Sequence, residues 1–161
     1  MNAVVTDTSP LNYLIQIHQA GLLGRLFQRV ILPGSVLREL LDPHAPALVR
    51  EWCRELPDWI EPHDHAGPAV SYGLDAGETE AISLALDLRI QTVIMDERKG
   101  RRVAEEHGLT TIGTLTLLEA ADARGFLDFE NALNDLRATN FHAGEKLLSA
   151  CLERVKQRRN A

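Results

Sequence analysis

Residues 75–96 read DAGETEAISLALDLRIQTVIMD, and this stretch indicates the fold class. Over residues 75–88 the apolar side chains recur at helical spacing, which predicts the clearest helix of the chain. Residues 90–95 then form an apolar, β-branched run that is typical of a central strand in a parallel sheet. A helix that leads directly into a buried strand is the repeating unit of an α/β fold.

The same alternation continues on both sides of this stretch. Apolar runs predict further strands, and helical spacing or capping residues predict the helices between them. The predicted strands cover residues 3–6, 29–32 and 109–112, and the predicted helices cover residues 9–18, 97–107 and 114–124, with another helix after Pro33-Gly34. Strands that alternate with helices predict a central, mostly parallel sheet.

Two other regions do not follow this alternation. Residues 47–56 are expected to be helical, and residues 57–73, which are rich in Pro and Gly, are expected to form a variable surface loop. Residues 129–159 have the pattern of two amphipathic helices separated near residues 140–144. We expect these two helices to pack on one face of the sheet or on a second subunit.

Length and charge limit the class of protein. A chain of 161 residues predicts a single domain over residues 1–161. The chain has 17 Lys and Arg residues and 23 Asp and Glu residues, which gives a net charge of −6. This excess of acid argues against a protein that coats nucleic acid by bulk charge, but it is compatible with a local basic rim.

The chain has the features of a cytoplasmic protein. Its first residues lack the basic stretch, apolar core and cleavage site of a signal peptide. No uncharged apolar run is long enough to span a bilayer. Cys53 and Cys151 are isolated in the sequence and show no metal-ligand spacing, so we expect two reduced thiols. We therefore expect a cytoplasmic protein without a membrane partner.

Four acidic residues are predicted where a strand ends or a helix begins, and they are Asp7, Glu39, Glu78 and Asp96. In an open α/β sheet the reactive groups gather at the carboxyl ends of the strands. Carboxylate oxygens are hard ligands that suit Mg²⁺ or Mn²⁺ better than Zn²⁺. The four residues together predict a metal site for phosphodiester chemistry.

Each of these acids also has a structural interpretation. Asp7 could cap the first helix, although Thr8 and Ser9 offer hydroxyl groups for that role, and Asp96 could cap a loop. Glu39 by itself would be an ordinary surface residue. Glu78 heads the apolar stripe of its helix, so its charge must be compensated by a cation, a metal ion or helix amides. Glu80 is expected to face solvent.

Basic residues follow Asp96 directly, and they are Arg98, Lys99, Arg101 and Arg102. By default such a run is an exposed helical face, but beside a metal site it could hold phosphates. A second basic group in the last helix could lengthen this track. No aromatic residues interleave these charges, so a base-stacking platform is not evident. The only other metal-like cluster, His63-Asp64-His65, is expected in a solvated loop.

An ordered set of motifs resembles a PIN domain, and more narrowly the DUF3368 branch, which is related to VapC-type toxins. The motifs are Val4 to Leu11, Pro33 to Leu40, Asp75 to Ile82 and Met95 to Arg102, and the resemblance also includes Gly113-Thr114-Leu115 and the last helices. It implies a three-layer α/β/α fold. It also implies that Asp7, Glu39, Glu78 and Asp96 bind the metal, with Ser9 as a supporting hydroxyl.

The resemblance further implies a function and partners. The expected activity is a Mg²⁺- or Mn²⁺-dependent endoribonuclease that acts as a homodimeric toxin and is neutralised by a small antitoxin. Two alternatives stay open. One is a catalytically silent PIN-like module whose acidic cleft binds an arginine of a partner, and the other is a metal-dependent phosphatase that acts on a small substrate.

Overall fold

The fold is built on a five-stranded sheet in which every strand pair is parallel. The computed structural model describes residues 2–67 and 70–161. The strand order is β3-β2-β1-β4-β5, so β1 is central. The strands are β1 (Ala3–Thr6), β2 (Arg29–Pro33), β3 (Ile60–His63), β4 (Thr92–Ile94) and β5 (Thr110–Ile112). The parallel sheet expected from the sequence is confirmed.

Helices connect the strands and cover the sheet. In the described residues they are α1 (Thr8–Gln16), α2 (Gly21–Leu26), α3 (Gly34–Leu40), α4 (Ala47–Arg54), α5 (Ala76–Asp87), α6 (Arg98–Glu106), α7 (Thr114–Ala123), α8 (Phe129–Arg137) and α9 (Glu145–Arg159). None of the helices in this part of the chain is long and apolar enough to cross a membrane. The predicted helices are confirmed to within a few residues at each end.

Two hydrophobic cores lie on opposite faces of the sheet. Successive residues of a strand point to opposite faces, and Val4 and Val5 accordingly belong to different cores. The larger core receives residues from α1, α2, α3, α4, α7, α8 and α9, and the smaller core receives residues from α5 and α6. The result is the three-layer α/β/α arrangement.

Two elements were not expected from the sequence, namely α2 and β3. The expected loop over residues 57–73 contains β3, and its residues 68 and 69 lie outside the described part of the chain. β3 is an edge strand of the sheet and pairs with β2. An edge strand has no second neighbour that needs its N–H groups, so it tolerates Pro62, which has no N–H to donate. Strand pairing therefore overrides the local loop composition.

The last two helices pack on the larger core rather than projecting away from it. Phe129 and Leu133 of α8 and Val155 of α9 are buried there together with Val4 of the central strand. Packing on one face of the sheet was one of the two arrangements expected. Cys53 and Cys151 are free and buried, as structural thiols often are.

Candidate active site

Four acidic residues, Asp7, Glu39, Glu78 and Asp96, lie on the elements at the carboxyl ends of the strands. Asp7 follows β1, Asp96 follows β4, Glu39 is on the helix after β2, and Glu78 is in the first turn of α5. The backbone N–H of Asp7 donates to the carbonyl of Ile94 over 2.9 Å, which joins the ends of β1 and β4. This is the edge of an open α/β sheet at which ligands bind.

Asp7 is a buried carboxylate in negative surroundings. The residue is only 6% exposed, and its side chain makes no capping hydrogen bond to α1. Burial raises the pKa of Asp7 from 3.8 to about 7; the nearby charges of Glu78, Asp75 and Glu39 add to this rise, and the backbone N–H of Thr8 opposes it. No Lys, Arg or His forms an ion pair with Asp7 within residues 2–67 and 70–161. Asp7 occupies the N-cap position of α1, but its carboxylate does not cap the helix, so capping does not account for its burial.

Thr8 connects α1 to Glu39 instead of capping the helix. Thr8 is the first residue of α1, and its hydroxyl donates to Oε2 of Glu39 over 2.8 Å. Ser9 is exposed in the same turn. The expectation that Thr8 or Ser9 takes the capping position is thus wrong, because both residues lie inside the first turn. The exposed carboxylate of Glu39 is held beside α1 by Thr8 and not by Ser9.

Glu78 is held by the start of its own helix. Asp75 accepts a hydrogen bond from the N–H of Glu78 over 2.8 Å, and Glu78 accepts one from the N–H of Asp75 over 3.3 Å. This reciprocal pair is a capping box, and its D-x-x-E spacing is visible in the sequence. Burial and the charge of Asp75 raise the pKa of Glu78, while the backbone N–H of Asp75 lowers it. Of the expected compensations, a backbone amide at the start of the helix and the positive charge of Lys99 are present, and Asp75 is an acidic neighbour that the sequence reasoning missed.

Glycines allow the helices to approach these acids closely. A Cβ atom on Gly77 would lie 3.4 Å from Oδ1 of Asp7. A Cβ atom on Gly100 would lie 2.6 Å from the sulfur of Met95 and 3.2 Å from Oε1 of Glu78. The carboxylate of Glu78 therefore lies against the first turn of α6, and a larger residue at position 100 would displace it.

Asp96 is held by the helix on its other side. The N–H and the hydroxyl of Thr114 each donate over 2.7 Å, to Oδ1 and Oδ2 of Asp96 respectively. Thr114 is the first residue of α7 and is fully buried. A Cβ atom on Gly113 would lie 2.8 Å from Oδ1, so only glycine fits there without a shift. Asp96 thus caps a helix that is distant in sequence. The sequence suggested that Asp96 could cap a loop, so a capping role is found, but on a different element.

The acids do not form a ready coordination shell. In the described part of the chain, no three Asp, Glu, His or Cys side chains are close enough together to hold one metal ion. Glu39, Glu78 and Asp96 are each engaged by a hydrogen-bond donor of the protein, and neighbouring carboxylates repel one another. The donor set itself fits a hard divalent ion, since it consists of oxygens and includes a buried acid without a cationic partner.

The basic residues of α6 remain available for a ligand. Arg98, Lys99 and Arg102 are exposed, and Arg101 is half-buried with its Nε donating to Thr111 over 3.2 Å. None of these four side chains forms an ion pair within the residues that the structure describes. Unpaired cations next to Asp96 are suited to bind anionic groups.

The three arginines of α9 are engaged within the protein. Arg154 pairs with Glu119 over 2.6 Å, and Arg158 and Arg159 pair with Asp122 over 2.7 Å and 2.6 Å. These contacts attach α9 to α7. The three arginines therefore stabilise the fold and do not lengthen a track of free cations.

Glu80 and the histidines near residue 64 differ from what the sequence predicts. Glu80 was expected in solvent, but it is half-buried and accepts hydrogen bonds from the N–H and hydroxyl of Ser35, both over 2.8 Å, and from the N–H of His65 over 3.1 Å. Burial acts to raise the pKa of Glu80, but these bonds outweigh it and lower the pKa. His63 lies in β3, and His65 pairs with Asp87 over 2.6 Å, so neither belongs to a solvated loop.

Comparison with known proteins gives one family. The model of family DUF3368, described as a PIN domain, matches residues 3–157. No curated protein matches the chain significantly. PIN domains are generally nucleases, and they typically use divalent metal ions.

Proposed function

The chain belongs to the DUF3368 family of PIN domains, and from this premise we propose that it is a Mg²⁺- or Mn²⁺-dependent endoribonuclease. The family supports a nuclease. The proposal adds RNA as the substrate, the four acids Asp7, Glu39, Glu78 and Asp96 as the metal ligands, and a VapC-like toxin role. It also includes a small antitoxin as partner and a homodimeric assembly.

The environment of Asp7 is the observation that carries this proposal. A carboxylate that is 6% exposed among other acids is costly to ionise, and its raised pKa expresses that cost. A divalent cation would remove this penalty, because it neutralises several carboxylates at once. The basic residues of α6, which form no ion pair with any residue that the structure describes, begin next to Asp96, at the same edge of the sheet, where the phosphates of a substrate would need them.

The roles of the side chains follow from their contacts. Asp7, Glu39, Glu78 and Asp96 would hold the ion, which when bound supplies an acidified water and neutralises the charge that develops at phosphorus. Thr114 fixes both oxygens of Asp96, and Thr8 orients Glu39. Arg98, Lys99, Arg101 and Arg102 would bind and orient the RNA phosphates. Asp7 carries a proton for part of the time near neutral pH, so it must lose that proton before it can act as a ligand.

One observation favours a second candidate function. The acids of the described residues do not form a three-ligand group, and such a cleft could instead receive an arginine side chain of a partner. The protein would then be a catalytically silent PIN-like module. Its affinity for the partner would not depend on divalent ions, whereas RNA cleavage would.

Cleavage of a mixed RNA pool in Mn²⁺ or in chelator separates the two functions. The wild type is compared with Asp7→Asn, Asp96→Asn and the control Glu106→Gln, which changes an exposed carboxylate at the far end of α6. We expect cleavage by the wild type and the control in Mn²⁺ only, and none by the two aspartate variants. Folded wild-type protein that cuts no RNA with any divalent ion would refute the nuclease, and cleavage by all variants would indicate a contaminant.

The partner proposal needs a separate measurement. We expect light scattering of the purified protein to give twice the mass of 17.9 kDa. We also expect the product of a short neighbouring gene, when co-purified, to suppress RNA cleavage. A monomeric mass at micromolar concentration would contradict the homodimer without affecting the nuclease.

A further inference from the structure

We propose that a pocket beside Asp96 holds one pyrimidine base of single-stranded RNA, next to the phosphate that is cleaved. This inference deepens the proposed nuclease function and rests on it. The pocket lies between α7 and the segment that leads into α9. We call it the base pocket, and its apolar walls are Leu115, Phe141, Ala143 and Leu147.

The size of the base pocket suits a single aromatic ring. Its volume is about 170 Å³. An apolar cavity of about 150 Å³ accommodates one benzene molecule. A six-membered pyrimidine ring therefore fits, whereas the larger fused rings of a purine leave less clearance and extend toward the open side of the pocket. The hydroxyl of Thr116 and the imidazole of His142 also line it and offer polar groups for the edge of a base.

Phe141 provides the aromatic surface that the sequence near the basic residues lacks. Its ring packs edge-on against Tyr13, with centroids 5.2 Å apart and an interplanar angle of 87°. Phe141 is half-buried, so this contact holds a ring that is still partly accessible. Stacking on a fixed aromatic ring is a common way to bind an unpaired base. The fold thus brings an aromatic residue from position 141 to basic residues near position 101.

A second pocket adjoins the first and is lined by basic residues. We call it the phosphate pocket; its volume is about 380 Å³, and it is lined by Arg98, Arg101 and Arg102 together with the carboxylates of Asp96 and Glu105. The two pockets share Asp96, Arg101 and Leu147. A nucleotide whose base occupies the base pocket can therefore place its phosphate among these arginines, beside Asp96. Leu147, which is 49% exposed, forms part of the wall between base and solvent.

The charge of the phosphate pocket favours RNA over an apolar side chain of a protein. An apolar side chain would fill the base pocket but would leave the phosphate pocket with an excess of positive charge, because its three arginines face only the two carboxylates of Asp96 and Glu105. A nucleotide satisfies both pockets, because its base is flat and largely apolar and its phosphate is anionic. Only an unpaired base can enter such a pocket, which restricts the substrate to loops, bulges and single strands.

Binding measured in chelator tests the base pocket without cleavage. Tetrauridylate and tetraadenylate are titrated into the protein, and the methyl signals of Ala143 and Leu147 are followed by NMR. We expect tetrauridylate to shift these signals and to bind at least about tenfold more tightly than tetraadenylate. Leu147→Ala and Ala143→Leu, which open and fill the pocket, should each reduce this ratio, and Leu88→Ala, a similarly exposed leucine outside the pocket, should leave it unchanged.

Cleavage of defined oligonucleotides gives the second readout. The RNAs differ only in whether one position beside the cleaved bond is U, C, A or G, and the reaction contains Mn²⁺. We expect cleavage at U and C to be about tenfold faster than at A and G. Equal cleavage at all four bases would overturn the base pocket and leave the nuclease intact. Equal binding of the two tetranucleotides, or unshifted Ala143 and Leu147 signals, would overturn it whether or not the protein cleaves RNA.

Discussion

Asp96 and Thr114 are joined by two hydrogen bonds, one to each carboxylate oxygen, and both measure 2.7 Å. The two residues are 18 positions apart in sequence, and they connect the end of β4 to the start of α7. The orientation of this candidate metal ligand is therefore set by a different helix from the one that follows its own strand.

Replacing Thr114 by Val should weaken both the fold and the activity. Valine has a similar shape but lacks the hydroxyl, so Oδ2 of Asp96 would lose its donor. A hydrogen bond to a charged group contributes about 1.5–3 kcal/mol, and loss of a residue that orients a ligand lowers activity about 10- to 100-fold. Urea unfolding and RNA cleavage in Mn²⁺ measure the two effects. Thr114→Ser should restore most of both, and a serine variant as impaired as the valine variant would contradict this role.

The stability of the metal-free protein should fall as the pH rises from about 4 to about 7. Asp7 has a folded pKa of about 7 and an ordinary value of 3.8, so the folded state binds the proton more tightly than the unfolded state does. The resulting stabilisation is complete below pH 4 and is lost as the pH rises to the folded value. Each pKa unit corresponds to about 1.4 kcal/mol.

The variant Asp7→Asn tests this pH dependence directly. Its amide is neutral at every pH, so in chelator at pH 8 its free energy of unfolding should exceed that of the wild type by a few kcal/mol. The control Glu106→Gln should follow the wild type, because its carboxylate is exposed. Parallel pH profiles for wild type and Asp7→Asn in urea denaturation would show that Asp7 is not the group responsible.

Divalent ions should stabilise the wild type most at alkaline pH. An ion that binds only the folded state at 100 times its Kd adds about 2.7 kcal/mol. Differential scanning calorimetry at pH 8 should therefore show a higher Tm with Mg²⁺ or Mn²⁺ than with chelator. The same addition should leave the Tm of Asp7→Asn nearly unchanged, and a similar rise in both proteins would place the ion elsewhere.

The two groups of arginines should respond differently to truncation. Arg98→Ala should weaken RNA binding and reduce the slope of log affinity against log salt by about 0.7, which is the value for one phosphate contact on a single strand. Arg158→Ala should leave that slope unchanged and instead lower the stability, since Arg158 pairs with Asp122. Fluorescence anisotropy with labelled RNA at several salt concentrations, together with urea unfolding, separates the two results.

Much of the fold could be predicted from local pattern. Strands with continuous apolar runs, such as β1 and β2, and helices with clear spacing, such as α5, were found within a few residues of their observed ends. β3 was missed because its stability comes from pairing with β2 and not from its own composition. Glu80 was misplaced for a similar reason, since its partners Ser35 and His65 are distant in sequence.

The sequence alone determined which acids stand at the ends of the elements, because strand and helix boundaries follow from periodicity and from residues such as Pro and Gly. It also determined the family, through motifs that run from Val4 to Arg102. Only the tertiary structure decided how each acid is held: Glu39 by Thr8, and Asp96 by Thr114. It likewise decided that the arginines of α9 are paired, that those of α6 are free within the described residues, and that Phe141 lies near Arg101. These features depend on which distant segments pack together, and burial of apolar surface on the two faces of the sheet controls that packing.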